Sequence, residues 1–210
     1  MKRRRVPDVV IRRLAVYLRI LREMDLSDNR FISSAELGER AGVTSAQVRK
    51  DLAMFGEFGK QGVGYQALNL KSELTRILNT DKTVNVAIIG MGELGVALAR
   101  YIQRRYDNDN EYPFRLTALF DVDPAKVGIP VEGVAVDHLD SLPSRVRERR
   151  VKLAIISVPA AAAQEVIDRA VAAGIKAFLD FAPVKLRVPP HVRVHYSDVS
   201  LELHQLAFFL

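Results

Sequence analysis

Apolar positions recur along this chain with two periods, and the change from one to the other divides it. Pro7-Asp8 is a helix-start signal, and Val9, Leu14, Leu18 and Leu21 follow at helical spacing to about Met24. Ser33-Ser34-Ala35-Glu36 reads as a capping box that opens a short helix, Ala35 to Ala41. Gly42-Val43-Thr44 supplies a turn, and Thr44 or Ser45 caps a third helix running to about Phe55. On that helix Val48, Leu52 and Phe55 stand at i, i+4 and i+7 and form one buried stripe. Two short helices around a glycine-containing turn predict a helix-turn-helix. Gly56, Gly59, Gly62 and Gly64 then exclude helix and suit a hairpin with a tight tip, a wing behind the third helix. A fourth helical pattern, Leu70 to Leu78, leads into the polar linker Asn79-Thr80-Asp81-Lys82.

From Val84 the period changes, and aliphatic runs alternate with helical stretches. Strands are predicted at Val84 to Ile89, Leu116 to Phe120, Gly133 to Val136, Lys152 to Ser157, Lys176 to Asp180 and Val192 to His195. Helices are predicted at Val96 to Arg105, Leu139 to Arg149 and Ala160 to Ala173. That alternation predicts an α/β, parallel, doubly wound sheet. The last stretch, Asp198 to Leu210 with Ser197 as its cap, has Val199, Leu201, Leu203, Leu206, Ala207, Phe208, Phe209 and Leu210 and almost no polar face. Such a helix has to be buried nearly all round, and a second subunit is the natural cover for it.

The first strand of the sheet carries the chemistry. It runs into Gly90-Met91-Gly92-Glu93-Leu94-Gly95 and then a helix, the context in which a GxGxxG motif binds a dinucleotide. Gly90 permits the turn, Gly92 lets a pyrophosphate approach the backbone, and Gly95 lets helix and strand pack closely. The free amides and positive dipole end of the helix face the phosphates. Asp121 ends the second strand, 26 residues past Gly95, where a carboxylate accepts hydrogen bonds from ribose hydroxyls and repels a 2′-phosphate. NAD and NADH are therefore the expected cofactors, in preference to the phosphorylated dinucleotides. Val122 and Lys126, just beyond that tip, join the candidate nucleotide contacts. The tips of the fourth and fifth strands, Ser157-Val158-Pro159 and Phe181-Ala182-Pro183, are where the nicotinamide half is expected.

Charge sharpens the division. Residues 1–80 hold 15 Lys/Arg against 9 Asp/Glu, a net of +6, while residues 81–210 hold 16 of each. A basic front module beside a neutral ligand-binding one points to a polyanion for the first. Ser45, Gln47, Arg49 and Lys50 on the outer face of the third helix are placed to contact double-stranded DNA, with Lys60 and Gln61 at the tip of the wing. The chain has no Cys, no membrane-spanning run and no apolar stretch behind its basic start, so a cytoplasmic location without membrane or metal partners is expected. His138, His191, His195 and His204 show neither metal-ligand spacing nor a catalytic relay, and no substrate domain remains after the sheet elements. No catalytic residue is assigned, and the nucleotide is expected to be sensed and not turned over. Two alternatives stand beside that expectation, an NAD-dependent dehydrogenase and a CoA-binding regulatory domain.

The strings VTSAQVRKDLAMFGEFGKQGVGY, GMGELG, LFDVDPAKVG and SVPAAAAQ, in this order and followed by the terminal apolar helix, resemble the Rex family of redox-sensing transcriptional repressors over nearly the whole length. The resemblance implies three parts: a winged-helix domain over 1–79, a Rossmann domain over 80–196, and a C-terminal helix over 197–210 exchanged between the protomers of a homodimer. It implies a repressor of a palindromic operator that senses the NADH/NAD+ ratio and is released by NADH. By motif position it also implies switch roles for Arg13, Tyr101 and Asp198.

Overall fold

Pro7 caps the first helix, α1 (Asp8–Glu23), from an extended backbone conformation. Its missing N–H costs nothing there, because the first amides of a helix lack intrahelical acceptors in any case. In this computed structural model, which describes residues 6–24, 30–60 and 62–210, the chain divides into two compact units between Lys82 and Thr83.

The first unit continues with β1 (Phe31–Ile32), α2 (Ser34–Ala41), α3 (Ser45–Ala53), β2 (Gly59–Lys60), β3 (Gly64–Gln66) and α4 (Ala67–Ile77). Ser33 caps α2 by accepting from the Glu36 amide, and Thr44 caps α3 by accepting from the Gln47 amide. Each such cap contributes about 1 kcal/mol. The strands β2 and β3 form the hairpin behind α3, and β1 adds to β3 to complete a small antiparallel sheet. Helix-turn-helix plus hairpin is a winged helix. The two-residue β1 was not foreseen, and α4 begins three residues earlier than its apolar pattern. The buried stripe of α1 also differs by one residue from expectation. Val10, Leu14, Tyr17, Leu18 and Leu21 point inward, whereas Val9 is exposed, because each step along a helix turns a side chain by about 100°.

The second unit runs β4 (Val84–Ile89), α5 (Glu93–Asn108), β5 (Phe114–Asp121), β6 (Pro130–Val131), β7 (Val134–His138) and a 3-10 turn, Leu139–Ser141. Then come α6 (Leu142–Glu148), β8 (Leu153–Ile156), α7 (Ala160–Ala172), β9 (Ala177–Asp180), β10 (Arg193–Tyr196) and α8 (Val199–Ala207). The strand order is β10-β9-β8-β4-β5-β7-β6. Winding goes outward from β4 in both directions, so the order reverses between β4 and β8, and a ligand crevice opens outside the carboxyl ends there. All neighbours pair in parallel except β6, which lies antiparallel on β7. The wholly parallel sheet expected from the alternation therefore gains one antiparallel edge strand, a common ending for such sheets.

Strand β4 is buried on both faces, which is why it reads as a continuous aliphatic run. Ala87 and Ile89 pack with α6 and α7, while Val86 and Ile88 pack with α5. Each large aliphatic side chain so buried contributes about 1.5–3 kcal/mol. At the end of the chain, Asp198 caps α8 by accepting from the amides of Ser200 and Leu201, in place of the expected Ser197. Ser197 is still committed to the sheet, donating its own amide to the Asp180 carbonyl. No residue of α8 is buried in the single chain.

Candidate functional site

The glycine turn after β4 is fixed by contacts on both sides. Gly90 donates its amide to Phe120 O at 2.8 Å, and Ser157 Oγ donates to Gly90 O, also at 2.8 Å. Gly90 has φ +98°, and a Cβ on it would lie 2.5 Å from Ser157 O. Both facts demand glycine. A Cβ on Gly95 would fall on the Gly90 carbonyl oxygen, so α5 can approach the turn only without a side chain there. Gly92 differs, with nothing within 4 Å of its would-be Cβ. Gly92 begins α5 with no side-chain cap, which leaves the first amides of the helix available to an anion.

Asp121 closes the other wall. Its Oδ2 accepts from the Met91 amide at 2.7 Å and from Lys126 Nζ at 3.1 Å, and its Oδ1 accepts from the Asp123 amide at 2.9 Å. Burial alone would raise this carboxyl, but the Asp123 and Met91 amides and Lys126 together hold it below the ordinary carboxylate range. A carboxylate has about four acceptor positions, so roughly one remains for a ribose hydroxyl, fewer than the two contacts the motif suggests. Lys126, expected as a nucleotide contact, is brought to Asp121 by the Asp123–Lys126 turn, a pairing the sequence did not announce.

The remaining candidates separate into those that face the crevice and those that build it. Glu93, Leu94, Val122, Pro159 and Pro183 are exposed around the tips, and Ser157, Val158 and Phe181 are half-buried. Met91 and Ala182 are buried, so only the Met91 backbone is presented to the turn. Asp180, which sequence reasoning passed over as a strand end, is fully buried at the tip of β9, and its Oδ1 accepts from the Ala182 amide at 3.0 Å.

In the first unit the outer face of α3 is less free than its sequence suggests. Lys50 is exposed and Ser45 half-buried, but Gln47 Nε2 donates to Asp51 Oδ1 at 2.7 Å, and Arg49 donates to Ser34 Oγ at 2.9 Å. Between α3 and the hairpin lies a cleft of about 620 Å³ whose lining includes Ser34, Arg49, Gly59 and Lys60. Arg49 and Lys60 thus share one basic groove. Gln61 lies outside the described residues.

Asp51 is the residue sequence reasoning missed in this unit. It is 1% exposed and accepts from Arg13 Nε at 2.6 Å, Arg13 Nη2 at 2.7 Å, Tyr17 Oη at 2.9 Å and Gln47 Nε2. Burial pushes its carboxyl up, but the hydrogen bonds from Arg13, Gln47 and Tyr17 outweigh this and the net displacement is downward. Arg13 is thereby fixed to the recognition helix by a bidentate pair. Tyr101 is exposed on α5, its hydroxyl accepting from Arg105 at 3.4 Å, and Asp198 is occupied as the cap of α8. Arg13, Tyr101 and Asp198 therefore have separate partners within their own units. Among the described residues no group of three or more His, Cys, Asp or Glu is placed to hold a metal, and no helix is long and apolar enough to cross a membrane.

A winged helix with a basic groove, ahead of a dinucleotide-type sheet, defines the class of two-unit regulators in which a ligand domain follows a DNA-binding one. The family model described as putative DNA-binding protein N-terminus matches residues 5–53, and that of the CoA binding domain matches residues 81–184. The chain is 46% identical to the redox-sensing transcriptional repressor Rex of Natranaerobius thermophilus over 209 residues, spanning 99% of this chain and 93% of that one. It is also 46% identical to the Rex of Thermus thermophilus, spanning 97% and 93%. Among solved structures, RSP, a Rex-family repressor, in complex with β-NAD+ and operator DNA matches with a TM-score of 0.87 at 38% identity, covering 97% of this chain and 92% of that one. RSP in complex with β-NADH matches with a TM-score of 0.83 at 36% identity, covering 98% and 94%. The chain belongs to the Rex family of redox-sensing transcriptional repressors.

Proposed function

We propose that this chain is a homodimeric, cytoplasmic repressor that grips a palindromic operator through its winged helix and releases it when NADH occupies the crevice at the glycine turn. The observation that carries this reading is the turn itself. Gly90 and Gly95 are demanded by the fold, Gly92 is not, and Asp121 is bonded to the turn at the Met91 amide. That is a phosphate cradle with a ribose acceptor beside it, in a chain whose relatives have been solved with both redox forms of the dinucleotide. Gly90 to Gly95, Asp121, Val122, Lys126, Ser157 to Pro159 and Phe181 to Pro183 form the nucleotide site. Ser45, Gln47, Arg49, Lys50, Lys60 and Gln61 form the DNA-reading surface. The functional parts are residues 1–79, 80–196 and 197–210.

The reduced and oxidised ligands differ by one positive charge on the ring. An apolar surface of Val158, Pro159, Phe181 and Pro183 favours the neutral ring, because an unpaired buried charge is costly. Ligand shifts the DNA-binding equilibrium only by its differential affinity for the two states, and a hundredfold preference supplies about 2.7 kcal/mol. Arg13, Tyr101 and Asp198 are the residues through which that difference reaches the recognition helices. No hydride is transferred, so a steady-state dehydrogenase assay gives no turnover.

The test is an NADH titration of operator-bound protein, with NAD+ as the parallel arm. Release at micromolar NADH is expected, and retention throughout that range defeats the proposal. Arg49→Ala and Lys50→Ala lower operator affinity and its dependence on salt while leaving NADH binding intact. Asp121→Ala weakens NADH about tenfold to a hundredfold, the ~1.5–3 kcal/mol of a hydrogen bond to a charged group. An unchanged Kd for that variant would restore CoA as the rival ligand, since a 3′-phosphate gains nothing from Asp121.

The exposed apolar residues of α8 and the chain end, Leu203, Leu206, Phe208 and Phe209 among them, are the dimer contact. Leu203→Glu with Phe208→Glu should give monomers in sedimentation at concentrations where the parent chain is dimeric. A dimer that survives both changes places the contact elsewhere.

A further inference from the structure

Asp180 stands apart from the other buried polar groups. Three buried side-chain atoms lack a hydrogen-bond partner among the described residues: Arg22 Nε, Asp137 Oδ2 and Asp180 Oδ2. Arg22 has other interactions, and Asp137 is ion-paired to Arg149 at 3.0 Å. Asp180 has no cation within salt-bridge distance among the described residues. Its one hydrogen bond is from the Ala182 amide, and burial pushes its carboxyl up from the ordinary range. An orphan buried carboxylate is expensive, and native folds rarely keep one without a use.

Its place in the sheet suggests the use. Register puts Asp180 in one transverse row with Tyr196, Ile156 and Ile89, the last residues of their strands before the tips. Gly90 follows Ile89, Ser157 follows Ile156 and Phe181 follows Asp180, so the carboxyl lies one residue below the crevice. The bond to Ala182 ties it to the Phe181-Ala182-Pro183 tip itself. Alternation places its side chain on the same face as Phe178, under α7, level with the strand ends that border the crevice.

We propose that Asp180 is a specificity-determining residue for the redox state of the nucleotide: its buried, unpaired carboxylate stabilises the positive ring of NAD+, so that both forms compete for one crevice. An apolar surface alone would reject the oxidised ring, and the protein would then report NADH concentration and not the ratio of the two forms. A fixed negative charge beneath that surface restores affinity for the cation while leaving the neutral ring nearly unaffected. The inference rests on the nicotinamide reading given above, and it concerns discrimination, not binding as such.

Asp180→Asn and Asp180→Ser remove the charge while retaining an acceptor for the Ala182 amide, and two variants guard against a folding defect in either. The Kd values of NAD+ and of NADH are measured by calorimetry or fluorescence for both variants and for the parent chain. NAD+ should weaken about tenfold, the order expected for loss of one attractive charge in a partly screened site. NADH should change by less than twofold, with melting temperatures near that of the parent. Equal loss for both nucleotides would make Asp180 a structural or carboxamide-holding residue and overturn the proposal, as would no change in either. Failure of the parent chain to bind either nucleotide would instead overturn the nicotinamide reading on which it rests.

Discussion

Arg13→Met is expected to cost the first unit about 3–5 kcal/mol, because it leaves the Asp51 carboxylate buried with only neutral donors. The pair is not a surface ion pair, for which about 0–1 kcal/mol is typical. Asp51 is almost wholly buried, and Arg13 meets it with two hydrogen bonds of 2.6 and 2.7 Å. Tyr17 and Gln47 supply the other two donors, so removing the guanidinium leaves half of the acceptor positions empty. The double variant Arg13→Met with Asp51→Leu should be less damaged than Arg13→Met alone, since no charge is then stranded. Denaturant unfolding of the three proteins measures the effect, and a loss below about 1 kcal/mol in Arg13→Met would show the pair to be energetically superficial.

The same carboxylate sets an acid limit. Its folded pKa lies below the unfolded value of about 3.9, so its contribution is complete above that pH. The contribution is lost as pH falls through the folded value. Stability of the first unit should therefore hold from neutrality down to about pH 4 and decline below it, and Asp51→Asn should flatten that decline.

The second large effect separates two glycines of one motif. Gly95→Ala puts a methyl group onto the Gly90 carbonyl, so α5 must move away from β4. Loss of both nucleotide binding and stability is expected, with overpacking strain of about 1–3 kcal/mol. Gly92→Ala meets nothing in the protein and has an ordinary backbone conformation, φ −75°. It should melt like the parent chain and yet bind NADH roughly a hundredfold less tightly, about 2.7 kcal/mol, because its methyl group occupies the path of the pyrophosphate. Thermal melts with and without NADH resolve the two. A Gly92→Ala protein that binds normally would mean the phosphates do not pass over this turn.

Local signals made most of this structure legible. Ser33 and Thr44 cap the helices that their side chains foretell, and the aliphatic run before Gly90 is a strand because both its faces are covered. What sequence alone could not give depends on partners far along the chain. Asp51 sits beside Lys50 and reads as part of a polar helix face, and only Arg13, 38 positions away, reveals it as a buried acceptor. Gln47 reads as a wholly free side chain for the same reason, although its Nε2 donates to Asp51. Asp180 looks like an ordinary strand end until β8 and β10 close over it from both sides. The short strands β1 and β6 escape notice because two residues carry no periodicity, and their existence is decided by β3 and β7.

The apolar terminal helix ties occupancy of the operator to the amount of protein as well as to its ligand. If two copies must meet to cover α8, the DNA-competent species grows with the square of the free chain at low abundance. Halving expression would then lower the dimer about fourfold. Repression thresholds in a cell would shift with protein copy number before any change in nicotinamide balance, and dilution in vitro would mimic the inducer.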